Sequence, residues 1–239
     1  MKSQKEPPKR ELTEITFGEL GFDAIVCLDA NLPGAEFYDL FPKMPLLAAD
    51  GAGSQLLDMG VIPDYIIGDL DTFNSKPKPE NLSKTILIQI PEQETTDFEK
   101  ILNFTLDNKY SNILILGFHG GELEHTLNNW SVLARYARRM NLCVYDAGRY
   151  AIPVSTSIAI ELKQKEMVSL IPQPKATLTT ENLRWELNKE KLELGVREGV
   201  RNIAISQEIK ILLHSGEYIL FIDARLPYAP GKKILNSSK

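Results

Sequence analysis

Cysteine is scarce in this chain: Cys27 and Cys143 are the only two among 239 residues. Each lies inside an apolar stretch, AIVCLD and NLCVYD, which suits a buried reduced thiol rather than a redox or metal site. Long hydrophobic runs are absent. The longest, such as ILIL and YILFI, fall far short of a membrane span, and the opening MKSQKEPPKRELTE is charged, without an apolar stretch of signal-peptide type. These absences predict a cytoplasmic protein with no membrane partner and a frayed first dozen residues. Positive charge is not in excess either. Lys plus Arg number 27 against 32 for Asp plus Glu, a formal charge of -5, and no local basic patch offsets it, so nucleic acid is not an expected partner. Internal repeats and low-complexity tracts are also missing, which removes solenoids and linkers from consideration.

What is present fits a folded globular chain: 43% hydrophobic and 25% charged residues, with length enough for two domains. From about residue 20, short β-branched runs alternate with helical periodicity: DAIVCL then AEFYDLF, PLLAA then SQLLDMG, DYIIG, TILIQI then DFEKILNFTLD, NILILG then HTLNNWSVLARYARRM, and NLCVYD. That alternation predicts an α/β domain over residues 15–150, a mostly parallel sheet flanked by helices. In the helix after His125, the spacing of Leu127, Trp130, Leu133, Ala134, Ala137 and Met140 predicts a buried face, with Arg135, Arg138 and Arg139 on the wet side. After Tyr150 the pattern changes to short strand-like runs between Pro, Gly, Lys and Glu turns, which predicts a smaller all-β sandwich or barrel over residues 151–239.

Four segments carry candidate chemistry. In GDLDT, the run DYIIG delivers Asp69 and Asp71 to the C-terminal end of a strand, where open α/β sheets place their ligands. If the chain stays extended, the two carboxylates face the same side and repel unless a cation such as Mg²⁺ lies between them. A bare Asp-x-Asp reads equally as a polar turn with one Asp capping the next element. In PEQETTDFEK, Thr96 and Glu99 make a capping box, so a helix starts here with Asp97 in its first turn and Lys100 beside it on the same face. This is either a metal-facing carboxylate next to a phosphate-directed cation, or a well-capped helix with an exposed ion pair.

In GFHGGELEH, Gly117, Gly120 and Gly121 permit positive φ and close backbone approach to a ligand, although glycine turns after strands are common. In DGAGSQLLDMG, Asp50, Gly51 and Gly53 follow another strand and open a helix, without the full G-x-G-x-x-G spacing of a dinucleotide site. Turns that each follow a strand of one parallel sheet open on one edge, gathering Asp50, Asp69, Asp71, Asp97, Lys100 and two glycine turns around one cleft.

The order AADGAGSQLLDMGVIPDYIIGDLDTF, PEQETTDFEKIL, GFHGGELEHTLNN and ENLRWELN resembles the thiamine pyrophosphokinase family over roughly residues 46 to 202, most specifically in PDYIIGDLDT. The resemblance implies transfer of a pyrophosphoryl group from ATP to thiamine, giving thiamine diphosphate and AMP, by a Mg²⁺-dependent homodimer with an α/β domain and a β-sandwich. It implies Asp69, Asp71 and Asp97 as metal ligands, with Asp71, Asp97 and Lys100 in catalysis. It further implies substrate contacts from Asp50, Gly51, Gln93, Thr96, Gly120, Gly121 and Asn202, and places Trp185 against the thiamine rings, although a core tryptophan in a β domain reads the same way. The chain departs from the family pattern at Ala52, Glu122, Glu124 and Arg201. Glu122 puts a negative charge where the family has Arg beside the phosphate cradle. Two rival readings use the same residues: a metal-dependent phosphohydrolase, and a non-catalytic sensor of thiamine or a nucleotide.

Overall fold

The computed structural model describes residues 12–75, 82 and 84–235. The first dozen residues expected to fray lie outside the described residues, apart from Leu12. The chain forms two compact units, Gly18–Pro153 with Ile222–Ala229, and Val154–Phe221 with the segments before Gly18 and after Ala229. Neither unit is one continuous stretch, so the N-terminal strand joins the later, all-β part of the chain.

In chain order the strands begin with β1 (Leu12–Thr16), which belongs to the second unit. They continue through β2 (Ala24–Cys27), β3 (Leu46–Ala49), β4 (Tyr65–Gly68), β5 (Ile86–Gln89), β6 (Asn112–Leu116), β7 (Asn141–Asp146) and β8 (Arg149–Val154). The first unit orders them β8-β7-β6-β2-β3-β4-β5. Every neighbouring pair from β7 to β5 is parallel, and β8 turns back antiparallel on β7. Strands β2, β3 and β6 are buried along their whole length, as a parallel sheet covered on both faces requires, which is why they read as unbroken apolar runs. Cys27 and Cys143 are buried within this sheet and form no disulfide, and burial pushes the Cys27 thiol up to about 12.

Among the described residues, four helices connect these strands: α1 (Asp50–Asp58), α2 (Asp71–Asn74), α3 (Asp97–Asp107) and α4 (Leu123–Tyr136). The AEFYDLF segment is a 3-10 turn, Ala35–Leu40, rather than an α-helix. Helix α1 starts at Asp50, before the SQLLDMG stretch that carries its apolar periodicity. Helix α4 departs from its expected face. Val132, Leu133, Tyr136 and, beyond its end, Met140 are buried, but Leu127 is 72% exposed. The periodicity is right for a buried face, but in the first half of α4 Leu123 and Leu127 are exposed, while Asn129 donates to the Phe118 carbonyl at 3.3 Å. Arg135, Arg138 and Arg139 are exposed as expected, and Arg135 pairs with Glu99 of α3 at 2.5 Å.

The second unit adds β9 (Ser157–Glu161), β10 (Met167–Glu181), β11 (Glu190–Glu193), β12 (Gly199–Ile203), β13 (Glu208–Asp223) and β14 (Gly231–Leu235). Its order is β14-β1-β9-β13, with β10 pairing β11, β12 and β13. Apart from the parallel β1–β9 pair, these ladders are antiparallel. The separate runs MVSLIP and ATLTT fuse into one long β10, and ILLHS and YILFID into one long β13, because register shifts near Pro172 absorb the irregular residues between them. No helix forms in this unit among the described residues. No helix of the described chain is long and apolar enough to cross a membrane.

Candidate active site

Because the strands β7 through β5 are parallel, the segments that follow them leave at one edge of the sheet. After β2 the chain moves to β3, β4 and β5 on one side, then returns to β6 on the other side of β2. The crevice outside the carboxyl ends of β2 and β6 is therefore the switch point at which open α/β sheets bind ligands.

The acidic cluster forms at this edge. One oxygen each of Asp50, Asp69 and Asp71 lies within 4.8 Å of the others, close enough to share an ion. The extended Asp-x-Asp pleat does not hold: Leu70 is buried and left-handed, φ 64°, so the chain turns sharply after β4 and Asp71 starts α2. This turn, not side-chain alternation, brings the two carboxylates together. Asp50 is 2% exposed and accepts the backbone N–H groups of Thr72 at 2.9 Å and Phe73 at 2.8 Å, fixing α2 against α1. Burial raises its carboxyl above the usual range despite those donors, and the nearby Asp71 and Asp97 act in the same direction. Asp69 accepts the Gln93 amide at 2.7 Å, which holds its carboxyl below the usual range.

Helix α3 supplies the next residues. Its Thr96 cap and Glu99 complete the capping box, so Asp97 is fixed in the first turn. Lys100 is not an exposed partner: its side chain is 3% exposed, and its Nζ lies 3.2 Å from Asp97 Oδ1. Burial raises the Asp97 carboxyl above the usual range, and the Lys100 ammonium pulls against that. Asp97 stands beside the metal-capable group rather than within it. A methyl group on Gly68 would come 2.9 Å from Asp50 Cβ and 3.0 Å from Asp97 Oδ1, so only glycine lets the two side chains converge there. Gly53 does not line the crevice: a methyl there would meet Ile66 Cδ1 at 2.7 Å, within the core.

The glycine turn after β6 has positive φ at Gly117, Gly120 and Gly121. It packs on the loop after β2, where a methyl on Gly120 would lie 2.5 Å from Asn31 Cγ and the Asn31 N–H donates to the His119 carbonyl at 2.9 Å. His119 Nδ1 faces Asp146 Oδ2 at 3.1 Å. Glu122 caps no backbone group: its carboxylate is 3.3 Å from His125 Nε2, and both side chains are largely exposed. The sequence alone does not single out Asp29, Asn31 or His119. The available signal was the turn sequence DANLP directly after the strand DAIVCL.

In the second unit Trp185 is 58% exposed, so it is not a core tryptophan. The Arg184 guanidinium lies 5.7 Å from its ring centroid. Asn202 is buried and holds the Trp185 peptide through two hydrogen bonds, at 3.1 Å and 2.7 Å.

The catalytic domain of thiamin pyrophosphokinase matches residues 42–144, and the vitamin B1 binding domain of thiamin pyrophosphokinase matches residues 155–217. Thiamine pyrophosphokinase 1 of Oryza sativa subsp. japonica is 31% identical over 219 residues, spanning 79% of this chain and 82% of that protein. The chain belongs to the thiamin pyrophosphokinase family. Thiamin pyrophosphokinase 1 of Caenorhabditis elegans is 26% identical, spanning 73% of this chain and 76% of its own length. Yeast thiamin pyrophosphokinase shares the fold, with a TM-score of 0.69 at 19% identity over 86% of this chain and 87% of that one. The segment matched to the family's catalytic domain contains Asp50, Gly51, Asp69, Asp71, Gln93, Thr96, Asp97, Lys100, Gly120 and Gly121, while the B1-binding segment contains Trp185 and Asn202. Asp29 and Asn31 lie outside both segments.

Proposed function

We propose that this chain is a thiamine pyrophosphokinase, transferring the terminal pyrophosphoryl group of ATP to the hydroxyethyl arm of thiamine to give thiamine diphosphate and AMP. The observation that carries the reading is the Asp50, Asp69 and Asp71 cluster at the sheet edge, with the buried Lys100–Asp97 pair beside it. Carboxylate oxygens this close repel one another, and a hard, oxygen-preferring divalent cation relieves that repulsion, so the residues fit Mg²⁺. Asp69 and Asp71 would hold it with Asp97 or Asp50. When bound, Mg²⁺ neutralises phosphate charge and polarises the phosphorus under attack.

The chain's own groups supply the rest. The buried Lys100 ammonium and the N–H groups of the Gly120–Gly121 turn stabilise phosphate oxygens, and Gln93 orients Asp69. The thiamine hydroxyl oxygen bonds to the β-phosphorus as the bond from that phosphorus to the α–β bridging oxygen breaks. That oxygen leaves with AMP, and Asp71 or Asp97 takes the hydroxyl proton. Trp185 presents a flat indole face to the thiamine rings, on the side away from Arg184. In this reading residues 15–150 carry catalysis, while residues 151–239, as a β-sandwich, contribute to the thiamine site and to a homodimer in the cytoplasm. Exposed Leu123 and Leu127, one turn apart on α4, support association.

The test incubates the full chain with ATP, Mg²⁺ and thiamine and follows AMP and thiamine diphosphate together. Equal formation of both, dependent on thiamine and metal, is the expected result. AMP or ADP formed without thiamine indicates a phosphohydrolase, and saturable binding without turnover indicates a sensor.

A further inference from the structure

Asp29 occupies a place in the first unit that its exposure alone does not explain. It leaves the carboxyl end of β2 at the switch-point crevice, where three loops meet. Its carboxylate lies directly over Gly51 at the start of α1: a methyl on Gly51 would come 1.9 Å from Asp29 Oδ2. The Gln55 amide, one turn further along α1, donates to Asp29 Oδ1 at 2.6 Å and fixes the group. On its other side, the Asp29 carbonyl is the nearest atom to Gly121, 3.4 Å from where a methyl would sit. Asp29 thus stands between the acidic cluster, whose Asp50 adjoins Gly51, and the glycine turn. Among the described residues no donor reaches Oδ2.

A fixed carboxylate with a free oxygen in such a crevice repels anions and attracts cations and hydrogen-bond donors. A phosphate is repelled. A second metal ion finds no further His, Cys, Asp or Glu ligand set there, because the metal-capable group among the described residues contains Asp50, Asp69 and Asp71 but not Asp29. A neutral hydroxyl pair donates to it without either penalty, and a charge-assisted hydrogen bond of that kind is among the stronger ones. We propose that Asp29, anchored by Gln55, is the specificity-determining residue that reads the ribose hydroxyls of the nucleotide donor. The sugar then lies beside the Asp29 carboxylate while the phosphates reach the neighbouring acidic cluster. This rests on the pyrophosphokinase reading and adds to it the part of the donor that is recognised at the switch point.

The experiment compares ATP with 2′-deoxy-ATP and 3′-deoxy-ATP in the full chain, in wild type, Asp29→Asn, Asp29→Ala and Gln55→Ala. In wild type, kcat/KM for at least one deoxy donor falls about tenfold or more below that for ATP. Asp29→Ala lowers kcat/KM for ATP by the same factor, brings the ratio close to one and leaves the KM for thiamine unchanged. Asp29→Asn keeps an acceptor and lies between the two, and Gln55→Ala weakens discrimination without abolishing it. Equal use of all three donors by wild type, or an unchanged ratio in Asp29→Ala, overturns the proposal. If wild type makes no thiamine diphosphate, the parent reading fails, and calorimetric binding of the three nucleotides with Mg²⁺ decides the subsite alone. Preference for ATP that vanishes in Asp29→Ala sustains it, and equal binding rejects it.

Discussion

Asn202 grips Trp185 at both ends of its backbone: the Trp185 N–H donates to Asn202 Oδ1 at 3.1 Å, and Asn202 Nδ2 donates to the Trp185 carbonyl at 2.7 Å. The indole itself stands exposed, so its position depends on a buried amide of strand β12. The two residues separate stability from recognition. Asn202→Ala removes both bonds and leaves the Trp185 peptide unpartnered there, costing about 1–3 kcal/mol in urea unfolding. Trp185→Ala changes little that is buried and keeps the stability within about 0.5 kcal/mol. Both raise the KM for thiamine, Trp185→Ala by roughly tenfold, in line with loss of a cation–π contact of about 1–2 kcal/mol. A thiamine KM unchanged in Trp185→Ala would remove the indole from the substrate site.

Asp71→Asn tests the acidic cluster on two independent readouts. It keeps the side-chain shape and an oxygen for the Thr72 N–H, which Asp71 accepts at 2.5 Å. Turnover falls by about a hundredfold or more, because a charged ligand and a candidate proton acceptor are lost together. In metal-free buffer its melting temperature is no lower than wild type, since one of three mutually repelling charges is gone. Mg²⁺ at about a hundred times its dissociation constant stabilises wild type by about 2.7 kcal/mol, and most of that gain is missing in the variant. An equal Mg²⁺ shift in both proteins would place the ion elsewhere.

These residues show what the sequence made legible. The strands and α3 were readable because fully buried parallel strands leave unbroken apolar runs and Thr96 with Glu99 is a local capping signal. The left-handed Leu70 was not readable, because nothing about leucine favours φ 64° and the conformation is imposed by burying its side chain. Trp185 was ambiguous for a similar reason: NLRWEL fits a core or a surface strand, and the deciding partner, Asn202, sits on β12. Asp29 carries no signal of its own in the sequence, because a lone aspartate after a strand is a common turn residue, and only the absence of a Cβ at Gly51 gives it meaning.

Gly117 joins the glycine turn to the sheet and yields a sharper stability test than its neighbours. It has φ 64°, and a methyl there would lie 2.2 Å from the Leu28 carbonyl oxygen, a backbone atom that cannot swing away. Gly117→Ala therefore costs about 3 kcal/mol or more, combining left-handed strain with displacement of the loop after β2. Gly60, at φ 79° with nothing within 4 Å of where a methyl would sit, is the control, and Gly60→Ala costs only about 1 kcal/mol. Equal losses in urea unfolding would mean that the approach to Leu28 relaxes at no cost.

Asp23 ties the start of β2 to the start of β6. Its Oδ2 accepts from Ser111 N at 2.8 Å, Ser111 Oγ at 3.0 Å, Asn112 N at 2.9 Å and Asn112 Nδ2 at 3.2 Å. Burial pushes this carboxyl upward, but the donors from Ser111 and Asn112 together outweigh it and hold the group below the ordinary range. A folded-state value below the unfolded one means that the ionised form stabilises the fold. The contribution is complete above the unfolded value, about pH 4, and is lost as the pH falls through the folded value. Asp23→Asn brings an amide towards donors and removes the charge, so it costs about 1.5–3 kcal/mol at pH 7. The gap between wild type and variant stays constant down to about pH 5 and narrows below it. Urea unfolding of both proteins at pH 7, 5 and 3 measures this directly, and a gap that widens in acid would mean that Asp23 is protonated more readily folded than unfolded.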